Sequence, residues 1–217
     1  MSLDGYIDDL TEARLTLSNA ADLDRVDSVR ATMDAIMVGA NTIRRDDPSL
    51  LIKSMSRRID RVSRGLPEDL IKITVTGGGT LDPRSRFFTT GAAPKLVYTT
   101  EETADGLAAR LGSAATVIDL GRSVDLPALL ADLSARGVRR LMVEGGGAVH
   151  TVFLTSGLVD ELHLVVAPFF IGDPGAPRFT YPGVFPQTPS RPMRLAEVRS
   201  IGEVALLRYT MGHAHEG

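Results

Sequence analysis

The chain of 217 residues contains no cysteine and no tryptophan, and aromatic residues make up only 5% of it. Without cysteine the protein cannot form a disulfide, use a thiol nucleophile, or hold zinc or an iron–sulfur cluster through thiolates. The sequence also lacks an apolar run near the roughly 18 residues that a membrane span requires, and it shows no secretory leader. We therefore expect a cytoplasmic protein that has no membrane partner.

An excess of charge of one sign is missing as well. The chain has 24 Lys and Arg against 27 Asp and Glu, which gives a net charge of −3. Proteins that bind nucleic acid through its phosphates usually carry a basic surplus, so we predict no nucleic-acid partner. Hydrophobic residues make up 43% of the chain, enough for a sizeable core. With no repeat and no clear linker we predict a single domain over 1–217, in which 1–3 and 216–217 need not be native residues.

Predicted strands and helices alternate through most of the chain. Runs rich in β-branched residues predict strands, and apolar residues spaced by three or four predict helices. The predicted strands are 37–39, 71–76, 95–99, 116–120 and 140–144, and the predicted helices are 22–36, 101–111, 125–136 and 148–155. This alternation predicts an α/β fold with a mainly parallel sheet flanked by helices.

The pattern changes in the last quarter of the chain. Residues 161–171 predict one long strand, in which Pro168 indicates a bulge or a sheet edge. The segment Gly172–Pro192 holds six of the twelve prolines and predicts an irregular loop. Residues 194–198 and 204–209 then predict an antiparallel hairpin at the C-terminus.

Two runs of three glycines, Gly77–Gly79 and Gly145–Gly147, each follow a predicted strand. Successive glycines let backbone N–H groups approach a pyrophosphate, and a following helix adds a favourable dipole. The alternative is a tight turn that only needs positive φ. Because the run occurs twice at strand ends, we favour ligand binding. Neither run matches the G-x-G-x-x-G fingerprint or a P-loop, so a standard Rossmann or P-loop domain is not predicted.

Several charged residues lie near these predicted strand ends. Glu144 directly precedes the second glycine run, where it either serves a site or caps the next helix. Asp46 and Asp47 precede Pro48, which is typical of a simple turn as well as of a ligand loop. His150 and His163 have no third ligand at a suitable spacing, so we predict no metal site.

The segment 53–64 is basic, with five Lys and Arg residues. We interpret it mainly as a solvated helix face. Lys53, which lies nearest to the Asp-Asp-Pro turn, is the best candidate within it to meet an anionic substrate group.

Three motifs occur in a fixed order: Ser-Leu-Asp-Gly-Tyr-Ile at 2–7, Val-Gly-Ala-Asn-Thr-Ile-Arg-Arg-Asp-Asp-Pro at 38–48, and Val-Glu-Gly-Gly-Gly at 143–147 followed by Gly-Leu-Val-Asp-Glu-Leu at 157–162. Together they resemble the pyrimidine reductase domain of riboflavin biosynthesis, which has a dihydrofolate-reductase-like fold. The resemblance implies an NADPH-dependent homodimer. It further implies that the ribosyl group of a phosphorylated pyrimidine, of the 5-amino-6-(5-phosphoribosylamino)uracil type, is opened and reduced to ribityl.

The resemblance also implies roles for particular residues. The expected cofactor set lies on three loops and comprises Gly39, Asn41, Thr42, Asp46, Thr76, Gly77, Gly78, Gly145, Gly146, Gly147, Ala148 and Val149. The expected substrate set comprises Asp4, Arg30, Leu50, Lys53 and Glu144, with Arg30 and Lys53 as candidates for the ribose phosphate. The catalytic proton is assigned to Asp46 or Glu144, and both stay open. Candidates for the 2′-phosphate of NADPH are Thr76, the glycines at 77–79, Arg84 and Arg86.

Two other functions compete with this one. A dihydrofolate-type or other small-molecule NADPH reductase of the same fold would favour an acid on the first helix, for which Asp27 and Asp34 are the candidates. A nucleotide-binding module without catalysis is the second alternative. Arg30 and Lys53 favour a phosphorylated substrate over a folate.

Overall fold

The structure, a computed structural model, describes residues 1–11, 13, 15–78 and 80–212. Gly79 lies outside the described residues, and so do residues 216–217, which need not be native. The contacts divide the chain into two compact units, Val26–Gly145 and the combination of Met1–Arg25 with Gly146–Gly217. The predicted α/β class is confirmed, while the single domain over the whole chain stays a prediction. Among the described residues no helix has the length and apolar character needed to cross a membrane.

A parallel five-stranded sheet forms the Val26–Gly145 unit, with the strand order β4-β3-β2-β1-β5. The first helix of the chain, α1, is Ala20–Arg30. The strands are β1 (Ala35–Gly39), β2 (Ile71–Val75), β3 (Lys95–Thr99), β4 (Thr116–Asp119) and β5 (Leu141–Gly145). The helices that lie wholly inside this unit are α2 (Ala40–Asp46), α3 (Met55–Ser63), α4 (Arg86–Thr89), α5 (Glu101–Leu111) and α6 (Leu126–Ala135), with a 3₁₀ turn at Gly112–Ala114.

Local sequence accounts for several of these boundaries. The carboxylate of Asp125 accepts the N–H of Ala128 at 3.2 Å and caps α6, and Pro127 occupies the first turn. Gly112, which follows α5, has φ +51°, a conformation that favours glycine. All five residues of β1 are buried, because this strand pairs with β2 on one side and β5 on the other.

The parallel register sets which residues meet at the carboxyl edge of the sheet. Gly39 at the end of β1 pairs with Val75 at the end of β2, and Val38 pairs with Gly145 at the end of β5. Open α/β sheets bind ligands at this edge. The edge therefore collects the start of α2, the turn after β2 and the end of β5.

The unit of Met1–Arg25 and Gly146–Gly217 contains the remaining elements. Helix α7 is Gly147–Thr155, and the strands β6 (Glu161–Val166), β7 (Arg194–Ile201) and β8 (Val204–Thr210) form an antiparallel sheet in the order β6-β8-β7. The predicted C-terminal hairpin is confirmed, and β8 also pairs with β6.

Two predicted elements extend five residues or more beyond the observed ones. The helix predicted over 22–36 ends at Arg30, because Ile36 is hydrogen-bonded into β1 opposite Lys72 and Met142. Pairing on both sides of the strand outweighs the helical spacing of Met33 and Ile36. The strand predicted over 161–171 stops at Val166, before Pro168, which has no N–H to donate to a ladder.

The basic segment 53–64 is only partly the solvated face that its composition predicts. It forms α3, but Arg61 within it is 1% exposed. The Arg61 guanidinium donates to the carbonyl oxygens of Ala31, Met33 and Pro67 at 2.7 to 2.9 Å. Arg61 therefore satisfies backbone groups where the chain leaves α1, a role that charge counting does not reveal.

Candidate active site

Arg30 and Glu144 form a bidentate ion pair within the Val26–Gly145 unit. Arg30 is the last residue of α1, and Glu144 lies near the end of β5. The Arg30 Nε and Nη2 atoms donate to the two carboxylate oxygens of Glu144, and the two side chains are 16% and 15% exposed. Burial lowers the pKa of the Arg30 guanidinium, but the hydrogen bonds and charge of Glu144 and the charge of Asp27 outweigh it and raise that pKa above its usual value. Two of the expected substrate residues are thus in contact and compensate each other's charge.

The segment that carries Leu50 and Lys53 lies against α1. Arg30 Nη1 donates to the carbonyl oxygen of Leu51 at 3.4 Å, and the carboxylate of Asp27 accepts the N–H of Lys53 at 2.6 Å. Leu50 has φ +52° although it is 4% exposed. A left-handed backbone is unusual for a bulky residue and is concentrated at functional sites. The Lys53 side chain is exposed.

The start of α2 lies at the carboxyl edge of the sheet. Gly39 precedes this helix, and Thr42 in its first turn lies beside Gly145, since a Cβ added to Gly145 would be 3.8 Å from Thr42 Oγ1. The Asn41 side chain accepts a hydrogen bond from Arg44. Asp46, the last residue of α2, is exposed. The structure therefore brings Gly39, Thr42 and Gly145 to one edge of the sheet.

The neighbouring residue Asp47 has a structural role. It has φ +40°, and its carboxylate accepts the N–H of Arg86 at 2.6 Å. The Asp-Asp-Pro motif thus contains one acid that closes a turn and one, Asp46, at the exposed end of α2.

The turn after β2 is open. Thr76 is 6% exposed, and its hydroxyl accepts the N–H of Gly78 at 3.3 Å. A Cβ added to Gly77 or to Gly78 would meet no described atom within 4 Å. No steric requirement among the described residues therefore explains why these two positions are glycine. Arg84, a candidate for the 2′-phosphate, is paired with Asp82.

The second glycine run leads into α7. Gly146 has φ +90°, which favours glycine, and a Cβ on Gly147 would lie 2.1 Å from the carbonyl oxygen of Arg178. Within the described residues no side chain caps α7. The N–H groups of its first turn, at Gly147, Ala148 and Val149, are the donors that a helix leaves without an intrahelical acceptor. Such a turn fits a pyrophosphate, while the absence of a Cβ at Gly147 is also required by packing.

Asp4 is held within its own unit. Its carboxylate accepts hydrogen bonds from the Ser2 hydroxyl and from the N–H groups of Ile171 and Gly172, the last at 2.7 Å. Desolvation opposes ionisation, but these donors together lower the pKa of Asp4. Its predicted contact with the substrate stays a prediction, and the observed contacts give it a role in fixing the chain at 171–172.

The two histidines have partners of their own. His150 Nδ1 lies 3.1 Å from the carbonyl oxygen of Phe179, and burial lowers the pKa of His150. His163 is paired with Glu161. In the part of the chain that the structure describes, no group of three or more His, Asp or Glu side chains is arranged to hold a metal ion.

The family follows from comparison with known proteins. The model of the RibD C-terminal domain matches residues 1–207. The chain belongs to this family. RibD-family reductases use a nicotinamide cofactor, and the observed donors at the start of α7 are of the kind that holds its pyrophosphate.

Named relatives cover most of the chain. A protein of Archaeoglobus fulgidus named 2,5-diamino-6-ribosylamino-4(3H)-pyrimidinone 5′-phosphate reductase is 36% identical over 81% of this chain and 80% of its own length. A protein of the same name from Methanothermobacter thermautotrophicus is 32% identical over 97% of this chain and 94% of its own.

Solved structures show the same fold. A pyrimidine reductase-like protein of Corynebacterium diphtheriae superposes with a TM-score of 0.83 at 24% identity and covers 98% of this chain and 89% of its own. A deaminase/5-amino-6-(5-phosphoribosylamino)uracil reductase of Thermotoga maritima gives a TM-score of 0.76 at 20% identity, over 97% of this chain and 54% of its own. The fold predicted from the resemblance is therefore confirmed.

The sequence pattern does not reveal the structural role of Asp27. The sequence offers Asp27 only as a candidate folate-binding acid, yet its carboxylate is 5% exposed and accepts three hydrogen bonds, from Lys53, Ser54 and Arg57. Its position three residues before Arg30, on the same helix face, is the signal that identifies it in the sequence.

Proposed function

We propose that the protein is a reductase of riboflavin biosynthesis, which uses NADPH to reduce the ribosyl group of a phosphoribosylamino-pyrimidine to ribityl. The observation that carries this proposal is the match to a named reductase over 97% of this chain and 94% of the relative. The substrate is either a 5-amino-6-(5-phosphoribosylamino)uracil or its 2-amino precursor, the 2,5-diamino-pyrimidinone. The names of the two archaeal relatives favour the 2-amino form.

Asp4 belongs to the proposed substrate set, and the other four members are in the Val26–Gly145 unit: Arg30, Leu50, Lys53 and Glu144. Lys53 carries an exposed ammonium for the ribose phosphate. The Arg30–Glu144 pair presents a fixed array of donor and acceptor atoms, because each side chain holds the other in place. A rigid polar pair orients a polar substrate at a lower entropic cost than two mobile side chains.

We assign the cofactor residues from the hydrogen-bonding groups that they present to a ligand. The first turn of α7, from Gly146 to Val149, offers N–H groups for the pyrophosphate. Thr42 and Asp46 on α2 are assigned to the nicotinamide cofactor. The candidates for its 2′-phosphate, which sets NADPH apart from NADH, are Thr76, the glycines at 77–79, Arg84 and Arg86. When bound, the cofactor supplies the hydride.

The proton of the reaction is assigned to Asp46 or Glu144. Glu144 already accepts from Arg30, although each carboxylate oxygen keeps a second lone pair. The variants Asp46→Asn and Glu144→Gln distinguish the two. The variant that lacks the proton-handling carboxylate is expected to have a kcat about 100-fold lower and to lose the corresponding limb of the pH–rate profile.

The observed contacts weigh against a folate substrate. Both candidate acids have structural hydrogen bonds: Asp27 holds Lys53 and Ser54, and Asp34 accepts the N–H groups of Arg139 and Arg140 at 2.9 Å. Asp34 also lies beyond the end of α1. A pterin would have to displace one of these sets of hydrogen bonds.

The direct test is oxidation of NADPH by the purified protein in the presence of each pyrimidine. We expect a loss of the absorbance of the reduced nicotinamide with at least one of them, and a ribityl product by mass spectrometry. No oxidation with either pyrimidine would overturn the proposal and favour a module without catalysis. A larger rise in melting temperature with NADPH than with NADH is expected, and equal rises would contradict the assignment of the 2′-phosphate.

Assembly and location are part of the same proposal. We propose a cytoplasmic homodimer without nucleic-acid or membrane partners. Light scattering coupled to size-exclusion chromatography measures the mass of the particle, and a monomer at micromolar concentration would contradict the dimer.

A further inference from the structure

We infer that Asp27 is a positioning residue for the substrate: its carboxylate fixes the backbone at Lys53 and Ser54 and so directs the Lys53 ammonium to the substrate phosphate. This inference rests on the proposed function. Asp27 itself does not need to touch the substrate, because it acts through Lys53.

The contacts of Asp27 reach both sides of the Lys53 Cα atom. One carboxylate oxygen accepts the N–H of Lys53 at 2.6 Å, and the other accepts the N–H of Ser54 at 3.1 Å and the Arg57 Nη1 at 3.0 Å. Asp27 is 4% exposed. A carboxylate buried to this degree is stable only when donors replace its water, and these three do so.

A second contact from α1 holds the same segment. Arg30 lies three residues after Asp27 and donates to the carbonyl oxygen of Leu51 at 3.4 Å. Helix α1 therefore offers an acceptor for two N–H groups and a donor for one carbonyl group within four residues of the facing chain. Residues at this spacing share one helix face, so both contacts hold the same facing segment of backbone.

The backbone conformation before Lys53 shows that the segment is held. Leu50 has φ +52° and is buried, a combination that persists only where the surroundings determine it. After Lys53, the Ser54 hydroxyl accepts the N–H of Arg57 at 3.4 Å and begins α3. Lys53 is thus fixed at its backbone from both directions.

The side chain of Lys53 is the part left to bind a ligand. It is exposed, and its ammonium makes no hydrogen bond or ion pair with the residues described by the structure. A lysine is a flexible point charge, so its contribution to phosphate binding depends on where its backbone is held. Releasing that backbone would increase the entropic cost of binding rather than change the chemistry at the reacting carbon.

The first test is Asp27→Asn, which keeps the size of the side chain and removes its charge. We expect KM for the phosphorylated pyrimidine to rise about tenfold, the effect of losing one charge-assisted hydrogen bond. We expect kcat to change by less than about twofold and KM for NADPH to stay unchanged, since the reacting groups are not altered.

Asp34→Asn is the matched control. The Asp34 carboxylate also accepts two consecutive backbone N–H groups, those of Arg139 and Arg140, in the same unit. That segment carries no proposed site residue, so this variant is expected to lower stability and to leave both KM values unchanged. If Asp27→Asn and Asp34→Asn change the kinetics alike, the role of Asp27 is only structural and the inference is overturned.

A double-mutant cycle with Lys53→Ala tests whether Asp27 acts through Lys53. Lys53→Ala alone is expected to raise KM for the substrate, and adding Asp27→Asn should then raise it no further. Additive effects would overturn the inference. If Asp27→Asn does not fold, Asp27→Glu, which keeps the charge and shifts the carboxylate, should show the same rise in KM at constant kcat. Absence of turnover in the unaltered protein would instead overturn the proposed function.

Discussion

Arg30 and Glu144 lie 114 positions apart in the sequence and meet through two hydrogen bonds, each side chain with about one sixth of its surface exposed. Neither charge would be stable at this burial without the other, because the desolvation of a lone ion is not compensated. The pair fixes the end of α1 to the end of β5. It therefore links the stability of the Val26–Gly145 unit to the geometry of the proposed substrate site.

Replacing Glu144 by Gln should therefore affect stability as well as turnover. We expect Glu144→Gln to lower the free energy of unfolding by about 2 to 3 kcal/mol, because the Arg30 guanidinium then lacks its counter-charge. Urea unfolding measures this change. The control is Asp82→Asn, which breaks the exposed pair with Arg84 and should leave the free energy of unfolding nearly unchanged. A similar loss in both variants would contradict the importance of the pair.

The two glycines that flank Gly146 should respond differently to alanine. In Gly147→Ala the new Cβ would lie 2.1 Å from the carbonyl oxygen of Arg178, so we expect a destabilisation of about 2 kcal/mol or more and a loss of NADPH binding. In Gly145→Ala the nearest atom, Thr42 Oγ1, is 3.8 Å away, and a change below about 1 kcal/mol is expected. Thermal melts and titration of cofactor fluorescence check both. Equal behaviour of the two variants would show that the close approach at Gly147 is not restrictive.

Because of Lys72, we expect the free energy of unfolding to rise with pH. Lys72 lies fully buried on β2, where its ammonium donates to the carbonyl oxygens of Phe87 and Thr90. Burial lowers the pKa of Lys72 from 10.5 to about 8. Between these values the unfolded chain binds the proton that the folded protein has lost, so folding becomes more favourable as the pH rises.

The measurement compares the protein with Lys72→Met, in which all other titrating groups are kept. The stability of the unaltered protein relative to this variant should increase by about 2 kcal/mol from about pH 7 to about pH 9.5. A difference that is constant over this range would indicate that Lys72 titrates normally.

Asp27 gives a dependence of the same sign in the acid range, where stability should fall as the pH falls. Burial alone would raise its pKa, but the N–H groups of Lys53 and Ser54 and the guanidinium of Arg57 together lower it. A carboxyl group with a lowered pKa stabilises the folded protein above its ordinary pKa of 3.8 and loses this contribution as the pH falls below that value. The stability advantage over Asp27→Asn should therefore shrink on acidification, as followed by urea unfolding. An advantage that persists at the acid end would show that the ionised form is not what the donors stabilise.

Local pattern was sufficient for elements whose ends carry their own signals. Helix α5 and strand β3 have the predicted boundaries, and α6 differs from its prediction by one residue at each end, because Asp125 and Gly137 mark its limits. The spacing of Ile36 from Met33 predicts a helix, and only pairing with the two neighbouring strands makes Ile36 part of β1. A run of basic residues predicts an exposed Arg61, and only the carbonyl groups of Ala31 and Met33, just after α1, allow it to be buried.

The sequence by itself determined the α/β class, the family motifs and the residue types available to the site. It did so because strand and helix periodicity, glycine runs and short motifs are local properties of the chain. Only the tertiary structure decided that Arg30 and Glu144 are partners, that Asp27 holds the backbone of Lys53, and that Gly147 lies against the carbonyl group of Arg178. These contacts join residues 26 or more positions apart, and no local pattern specifies them, since they depend on strand register and on where each element begins and ends.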